Sequence, residues 1–352
     1  MKILFIVTGV GYGDSKRSHT IINEFLKRDK KTKIKIAGYD KSYDYFKNKF
    51  PVIRIAGYKI IGKKMKFKVG SFLLRNYFLP FSWVYHIGKL KKEVKEFDPD
   101  IIISDFEPIG SVLAMLLKKP CIFIFGYNPE LFEEIPNKNA VTFFQSKYLT
   151  RIYRTSKHVL IPSFLQKKSK KYTIINPILF EESYKLPTQK DLMKKLNLEK
   201  QPIIVMLGGS QFGKALSKKI INVATHLPHE DFIIFGAKLN LRKRKNITYY
   251  KFKENYLEYL KVSKAVITLA GQLTLTEALA FKKPIMAFPI KNHIEQLQNA
   301  YLLRDNAYVK YDLTKMRKAV CEFLNTMNQI KPLNIETKGS KQIVDYVYNL
   351  LK

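Results

Sequence analysis

The sequence predicts an α/β protein of two similar units, each with a parallel sheet, that are joined by a hinge and followed by a C-terminal helix. Three observations predict this fold. Short β-branched runs alternate with segments of helical spacing, which is typical of βαβ units. The runs are almost wholly apolar, as in sheets that are covered on both faces. A stretch rich in Lys and Pro separates two such series.

The predicted elements fall in both halves of the chain. The predicted strands are Ile3–Val7, Lys33–Gly38, Ile101–Ser104, Cys121–Phe125, Val159–Ile161, Ile203–Leu207, Phe232–Phe235, Ala265–Thr268 and Pro284–Ala287. The predicted helices include Ser18–Lys27, Ala215–Ala224, Leu273–Ala280, Ile294–Leu303 and Lys341–Lys352. We therefore expect a first domain over residues 1–162, a linker with one short helix over 163–201, a second domain over 202–335 and a C-terminal helix over 336–352.

The composition is that of a globular chain with an extreme positive charge. Among 352 residues, 63 are Lys or Arg and 29 are Asp or Glu, so the formal net charge is +34. A lysine-rich surface of the hyperthermophile kind explains this charge. Attraction to an anionic partner, such as nucleotide phosphates, acidic lipid or nucleic acid, explains it equally. Charge alone leaves both explanations open.

The location of the protein follows from its apolar runs and cysteines. No apolar run approaches the roughly 20 residues that span a bilayer. Cys121 and Cys321 lie far apart and form no metal pattern, which favours a reduced interior. We therefore expect a cytoplasmic protein, with a peripheral position on the inner face of the cell membrane as the alternative if the basic surface meets lipid.

Three glycine-bearing loops follow predicted strands, where parallel sheets bind ligands. They read TGVGYGDSKRS after the first strand, LGGSQFGKA after the first strand of the second domain, and LAGQLTLTE before the helix that carries Glu277. Glycine lets a backbone approach phosphate closely, and a helix start offers N–H groups and partial positive charge. The loops thus indicate a phosphate-bearing ligand.

Polar side chains follow two consecutive strands of the second domain. Glu277 lies six residues after Gly271, in the second turn of its helix and among apolar neighbours. A carboxylate there can accept two hydrogen bonds from a ribose diol, although a solvated helix residue is the alternative. Glu295 and Gln296 begin the next helix and suit a sugar with several hydroxyls, or they only cap that helix. We expect the two helix starts to bind one ligand jointly.

Residues 265–303 combine a glycine turn, a helix with a carboxylate, a Lys-Pro strand and a second polar helix start. The residues of this pattern are Ala270, Gly271, Thr274, Glu277-Ala278-Leu279-Ala280, Lys283-Pro284, Pro289, Glu295-Gln296 and Asn299-Ala300. The segment closely resembles the donor-binding segment of GT-B nucleotide-sugar glycosyltransferases, in the branch of MurG-like N-acetylglucosaminyltransferases and UDP-glucuronosyltransferases. The resemblance implies two Rossmann-like parallel-sheet domains that face each other across a cleft. LGGSQFG at 207–213 looks like the phosphate-side loop of that family. PDIIISDFEP at 99–108 and NPIL at 176–179 look like segments of its archaeal members.

The resemblance implies a GT-B fold and transfer of a sugar from a nucleotide donor, expected to be UDP-linked, by an inverting reaction without a metal. It implies that Glu277 binds the ribose, that Glu295 and Gln296 bind the sugar, and that the backbone of Gly271–Leu273 binds the diphosphate. The donor-binding residues that it implies are Gly208, Gly209, Ser210, Phe252, Ala270, Gly271, Gln272, Leu273, Thr274, Glu277, His293, Glu295 and Gln296. Gly11 and Gly13 belong to the acceptor-side loop.

The general base is open at this stage. Archaeal relatives usually continue the first loop as Gly-x-Gly-His, whereas this chain has Asp14 in place of the histidine. A carboxylate can accept the proton of an acceptor hydroxyl as an imidazole does, so Asp14 is the first candidate. Glu107 and His19 are its rivals. Asp14 also fits an ordinary helix cap, and His19 an ordinary residue of a first helical turn.

Residues 59–97 hold ten Lys or Arg against Glu93 and Glu96, with aromatic residues interleaved. Those aromatics are Phe67, Phe72, Tyr77, Phe78, Phe81, Trp83 and Tyr85. One interpretation is a helical segment that packs its aromatics into the core. The other is a membrane-surface patch, which would serve an enzyme with a lipid-linked acceptor.

Several other functions compete with sugar transfer. A UDP-N-acetylglucosamine 2-epimerase shares the two-domain fold. A dinucleotide enzyme is suggested by GVGYG and Asp40, but its glycine pattern is incomplete. A nucleic-acid-binding protein would use the basic surface, yet no specific motif for it is recognisable. No metal or other cofactor is expected, because the one Asp-x-Asp, Asp98 to Asp100, precedes a strand, and His86, His158, His226 and His229 lack ligand spacing.

Overall fold

The computed structural model describes residues 1–59, 62–63, 65–180, 185–207, 212–236, 244–251 and 253–352. Its strands are β1 (Lys2–Val7), β2 (Lys33–Gly38), β3 (Val52–Arg54), β4 (Gly62–Lys63), β5 (Lys66–Phe67), β6 (Ile101–Asp105), β7 (Cys121–Ile124), β8 (His158–Pro162), β9 (Thr173–Ile175), β10 (Ile203–Met206), β11 (Phe232–Phe235), β12 (Ile247–Tyr250), β13 (Ala265–Leu269), β14 (Ile285–Phe288) and β15 (Tyr308–Val309).

Helices connect most of these strands. They are α1 (Tyr12–Arg28), α2 (Asp40–Phe46), α3 (Val69–Arg75), α4 (Leu79–Phe97), α5 (Ile109–Leu117), α6 (Ala140–Tyr153), α7 (Gln189–Lys195), α8 (Gly213–Ala224), α9 (Tyr256–Val262), α10 (Gln272–Ala280), α11 (Ile294–Leu302), α12 (Met316–Thr326) and α13 (Gly339–Leu350). Single 3-10 turns lie at Pro129–Glu134 and Met327–Gln329.

The strands form two parallel sheets, as the sequence predicts. The first has the order β3-β2-β1-β6-β7-β8-β9 and the second the order β12-β11-β10-β13-β14-β15. In the first sheet Val7 pairs with both Gly38 and Asp105, so the carboxyl ends of three strands meet at one edge. In both sheets strand order reverses beside the first strand of the domain, which is where α/β sheets place their ligands.

Apolar strand residues make cores on both faces of each sheet. In the first domain, Ile3, Phe5 and Val7 pack on one face with Phe25 of α1, while Leu4 and Ile6 pack on the other. The C-terminal helix α13 returns to the first of these cores, where its Ile343, Val344 and Val347 are buried. Successive strand residues point to opposite faces of the sheet and both faces are covered, which explains why the strands are apolar throughout.

The predicted linker contains an element that the sequence did not suggest. Residues 173–175 form β9, which pairs in parallel with β8 and extends the first sheet. The expected short helix is present as α7. Strand β9 thus belongs to the first sheet although it lies in the predicted linker. The domain limits at 162 and 201 stay predictions.

A short hairpin ties the basic segment of the first domain to the second domain. Phe67 N–H donates to the Lys291 carbonyl at 3.0 Å, and Lys291 N–H donates to the Met65 carbonyl at 2.9 Å. Met65 and Phe67 are buried in a core of the second domain, next to Phe212 and Ile290. The segment therefore holds the two domains together beside the cleft.

Residues 59–97 pack some of their aromatic side chains inward and expose others, and the membrane-surface interpretation stays a prediction. Phe67 and Phe72 pack inward, and the Trp83 indole N–H donates to the Ala56 carbonyl at 3.0 Å. Four other aromatics are largely exposed: Tyr77, Phe78, Phe81 and Tyr85. Across the residues that the structure describes, no helix combines the length and apolarity that crossing a membrane would require.

Candidate active site

A cavity of about 2140 Å³ lies between the two domains. The predicted site residues that line it are Gly11, Gly13, Asp14, Gly271, Gln272, Leu273, Thr274, Glu277, His293, Glu295 and Gln296. Ala270 is buried at the end of β13, next to this lining. Gly208, Gly209, Ser210 and Phe252 lie outside the described residues. The fold thus brings most of the predicted donor and acceptor loops to one cleft.

The start of α10 opens into this cavity. Gly271 is its N-cap residue and no side chain caps it. The first intrahelical bond runs from Leu275 N–H to the Gly271 carbonyl at 3.1 Å, so the N–H groups of Gln272, Leu273 and Thr274 precede the helical ladder. The space beside the Gly271 and Gly13 α-carbons is free of other atoms to 4 Å. An anion can therefore reach these amides.

Glu277 is a buried carboxyl, with only 1% of its surface exposed. The Tyr256 hydroxyl of α9 donates a hydrogen bond to it. Burial raises the pKa of Glu277 to about 7, while the Lys16 ammonium and the Tyr256 hydroxyl act to lower it. This position at the cavity wall excludes the solvated helix residue that was the alternative.

The start of α11 differs from that of α10 because the first domain occupies it. The Gln145 amide of α6 accepts from Ile294 N–H at 3.0 Å and donates to the Asn292 carbonyl at 2.8 Å. The Gln296 side-chain oxygen accepts from Ile290 N–H at 3.0 Å. The Ile294 N–H at this second helix start thus serves the domain contact. The expectation that the two helix starts bind one ligand jointly stays a prediction.

Side chains at the start of α11 still face the cavity. Glu295 is partly exposed there. Burial raises its pKa to about 7, with Asp14 raising it further and Arg17 lowering it. His293 also lines the cavity, and burial lowers its pKa to about 4, so its imidazole is neutral at neutral pH. Glu295 and Asp14 therefore interact across the cleft from opposite domains.

Asp14 belongs to a buried ionic cluster in the first turn of α1. Arg17 donates to Asp14 at 2.7 Å and also pairs with Asp105 at the end of β6. The Ser18 hydroxyl donates to Asp105 at 2.7 Å. Burial raises the pKa of Asp14 to about 6, although Arg17 acts to lower it. Asp14 is thus oriented by Arg17, and 22% of its side chain is open to the cleft.

The other two candidate bases do not line the cavity. His19 shares a 2.9 Å hydrogen bond with Tyr45 and packs against Phe46 and Phe50. Glu107 is 0% exposed, and neither carboxyl oxygen has a hydrogen-bond partner among the described residues. Burial raises the pKa of Glu107 to about 8, opposed only in part by the nearby Tyr39 hydroxyl. Of the three, Asp14 alone meets the cavity.

Sequence reasoning missed several residues of this site. Two features of the sequence could have found three of them. Arg17 and Ser18 follow Asp14 at helical spacing, and Asp105 is a polar residue at the end of an apolar strand. Tyr256 and Gln145 gave no such signal, because each meets its partner from a distant part of the chain.

Comparison with known proteins identifies the family. Residues 1–328 match the family described as Glycosyl transferase family 1. This chain belongs to that family. An uncharacterized glycosyltransferase of Methanosarcina acetivorans is 25% identical over 328 residues, covering 88% of this chain and 84% of that protein.

Relatives of named activity and known structure agree with this assignment. The UDP-N-acetylglucosamine--N-acetylmuramyl-(pentapeptide) pyrophosphoryl-undecaprenol N-acetylglucosamine transferase of Alkaliphilus metalliredigens is 25% identical over 311 residues, covering 82% of this chain and 79% of that protein. The crystal structure of Acinetobacter baumannii MurG shares the fold, with a TM-score of 0.62 over 99% of both chains at 14% identity. The protein is therefore a glycosyltransferase with the GT-B fold, as the resemblance implied.

Proposed function

We propose that this glycosyltransferase moves a sugar from a UDP-linked donor to a hydroxyl of a lipid-linked acceptor, with inversion at the sugar and without a metal ion. One observation carries the proposal: a single cavity is lined by the uncapped start of α10, by the buried carboxyl of Glu277 and, from the opposite domain, by the carboxylate of Asp14.

The donor lies along α10 in this proposal. Six residues separate Gly271 from Glu277, which is about 9 Å of helix at 1.5 Å per residue. A diphosphate at the helix start and a ribose diol at Glu277 fit that separation. The N–H groups of Gln272, Leu273 and Thr274 stabilise the diphosphate charge, and Glu277 accepts from the ribose hydroxyls. Glu295 and His293 face the sugar.

The transfer is a single displacement. The acceptor hydroxyl oxygen attacks the anomeric carbon of the sugar, and the bond from that carbon to the diphosphate oxygen breaks. The bonding electron pair leaves with UDP, and the hydroxyl proton passes to the Asp14 carboxylate. Arg17 holds that carboxylate at 2.7 Å, so its direction is fixed before the acceptor arrives. The backbone N–H groups of α10 supply the charge stabilisation at the leaving group.

A lipid-linked acceptor is supported by the surface beside the cavity. Phe72, Leu73 and Tyr77 line its wall, and the same segment continues outward as an exposed apolar patch. Leu74, Phe78 and Tyr85 of this patch are 81%, 73% and 74% exposed. Monomeric proteins rarely expose so many large apolar side chains together without a binding partner.

The charges around the patch favour an anionic membrane as that partner. Residues 59–97 carry ten Lys or Arg and two acids, so the exposed aromatics lie in a strongly positive field. Aromatic side chains enter the headgroup zone while basic ones meet anionic lipid. An acceptor held in that membrane would enter the cavity directly. The name of the Alkaliphilus relative, which includes a pyrophosphoryl-undecaprenol acceptor, is consistent with this proposal.

The donor site is tested by titrating the protein with UDP in a calorimeter. The variant Glu277→Ala should weaken UDP binding at least tenfold, since the ribose loses charged hydrogen bonds that each contribute about 1.5–3 kcal/mol. Glu322→Ala, at a site on α12 outside the cavity lining, is the matched control. An unchanged UDP affinity in Glu277→Ala would refute the ribose assignment.

The transfer itself is tested with radiolabelled UDP-N-acetylglucosamine and a lipid extract. A transferase releases UDP and labels the lipid fraction only when both are present. An epimerase would instead convert the sugar nucleotide with no lipid added, and that result would favour the alternative. If UDP binds but no label reaches the lipid or any other acceptor, the proposed lipid acceptor is wrong while the donor site stands.

A further inference from the structure

Lys16 reaches from the first domain to the donor side of the cleft. It lies on α1 between Asp14 and Arg17 and lines the cavity. Its ammonium nitrogen is 3.9 Å from the centre of the Tyr256 ring and 5.9 Å from that of Phe180. Tyr256 belongs to α9 of the second domain, so this contact bridges the two domains.

The charge of Lys16 acts on the donor side of the site. It is the leading influence that lowers the pKa of Glu277, against the larger effect of burial. Tyr256 connects the two groups, because its ring faces Lys16 and its hydroxyl donates to Glu277. Arg17 on the same helix pairs with Asp14 and Asp105 of the first domain. Neighbouring cations of α1 therefore serve opposite sides of the cleft.

We propose that Lys16 binds the diphosphate of the nucleotide donor from the opposing domain. This inference rests on the proposed donor site, in which the diphosphate occupies the start of α10 and the ribose occupies Glu277. Lys16, Gly271, Leu273 and Thr274 line the same cavity as Glu277. The diphosphate at the start of α10 and the ribose at Glu277 are about 9 Å apart along the helix. The Lys16 ammonium beside Glu277 can turn toward the diphosphate, because lysine carries its charge on a flexible four-carbon stem.

In the structure the Lys16 ammonium lies over the Tyr256 ring and acts to lower the pKa of Glu277. When the donor binds, we expect this ammonium to donate hydrogen bonds to phosphate oxygens while Glu277 accepts from the ribose hydroxyls. Because UDP gains charge as the glycosidic bond breaks, the same ammonium stabilises the leaving group. Since Lys16 comes from the first domain, this contact also favours closure of the cleft over the donor.

The test compares UDP with uridine as ligands, since uridine lacks the diphosphate but keeps the ribose and base. Isothermal titration calorimetry should show that Lys16→Met weakens UDP binding by about tenfold or more, as expected for loss of a charged hydrogen bond. Uridine binding should lose less affinity than UDP binding, because uridine lacks the phosphates and feels Lys16 only through the charge of Glu277. Lys16→Arg, which keeps the charge, should recover most of the UDP affinity.

Lys27→Met is the matched control, because Lys27 lies on the same helix, pairs with Glu24 at 3.2 Å and carries the same charge. It should leave both affinities unchanged. Unchanged UDP affinity in Lys16→Met, or an equal loss for UDP and uridine, would overturn the diphosphate role of Lys16 while leaving the donor site intact. If the wild type bound none of UDP, dTDP, GDP, CDP and ADP, both the donor site and this inference would fall.

Discussion

Replacement of Glu107 by glutamine measures how a buried carboxyl makes the stability of the first domain depend on pH. Glu107 has no exposed surface, and its carboxyl oxygens have no hydrogen-bond partner among the described residues. Burial raises its pKa from 4.5 to about 8. The folded protein therefore holds a proton on Glu107 at neutral pH, whereas the unfolded chain releases it.

This proton makes stability depend on pH with a definite sign. A carboxyl whose pKa is raised on folding does not lower the free energy of unfolding at pH values below its unfolded pKa of 4.5. The loss of unfolding free energy grows as the pH rises, until the pH passes the folded pKa of about 8. At pH 7 the solution lies 2.5 pH units above 4.5, and each unit corresponds to about 1.36 kcal/mol. The wild type should thus lose about 3 kcal/mol of unfolding free energy between pH 4.5 and 7 through this group.

Glu107→Gln removes the titration but keeps the shape of the side chain. The free energy of unfolding of the variant, relative to wild type, should therefore rise by about 3 kcal/mol between pH 4.5 and 7, whatever the offset from its buried amide. Urea denaturation at several pH values measures this difference. Fluorescence of Trp83, the one tryptophan of the chain, reports the first domain. Glu96→Gln, on the exposed side of α4, is the control.

A difference between variant and wild type that stays constant with pH would refute the reasoning. It would show that Glu107 ionises in the folded state through contact with water or a cation. The same variant also tests the choice of base, because Glu107→Gln should retain kcat if Asp14 accepts the proton.

Three further predictions follow from the site. Asp14→Asn should lower kcat by at least about a hundredfold, as expected for loss of a general base, while the UDP affinity measured by calorimetry stays the same. An equal loss of kcat and of UDP affinity would contradict that role. The wild-type rate should rise with pH, reach half its maximum near pH 6 and level off about one to two pH units higher, because Asp14 must be ionised to act and burial raises its pKa to about 6. A rate that falls over this range would count against that role. Gln145→Ala removes two hydrogen bonds to the start of α11, which together contribute about 1–3 kcal/mol. Hydrogen exchange at the Ile294 amide should therefore speed up about tenfold or more. Unaltered exchange would show that these bonds do not hold the domains together.

The membrane proposal is tested on the patch itself. Phe78→Ser with Phe81→Ser should abolish flotation with vesicles of phosphatidylglycerol and phosphatidylcholine, because both side chains are more than two-thirds exposed and contribute apolar area to the bilayer. Leu351→Ser, an exposed apolar residue outside the patch, should bind as wild type does. Wild-type flotation by the double variant would place the membrane contact elsewhere.

The sequence by itself determined that alternating strands and helices build two parallel sheets. Apolar runs such as those of β1, β6 and β13 leave no polar face, so each must lie between helices. It also determined that the loop around Gly271 would open a helix, since glycine and small residues there follow a strand. Glu277 was placed in the second turn of that helix by spacing alone.

Only the tertiary structure decided how the two domains share the cleft. Gln145, Lys16 and Arg17 each act on a group far away in the chain, and local periodicity carries no information on such pairs. Strand β9 was missed because three residues at the edge of a sheet are too few to show a period. The structure also placed His19 and Glu107 behind the cavity and Asp14 in it, because burial of a side chain depends on which surfaces meet.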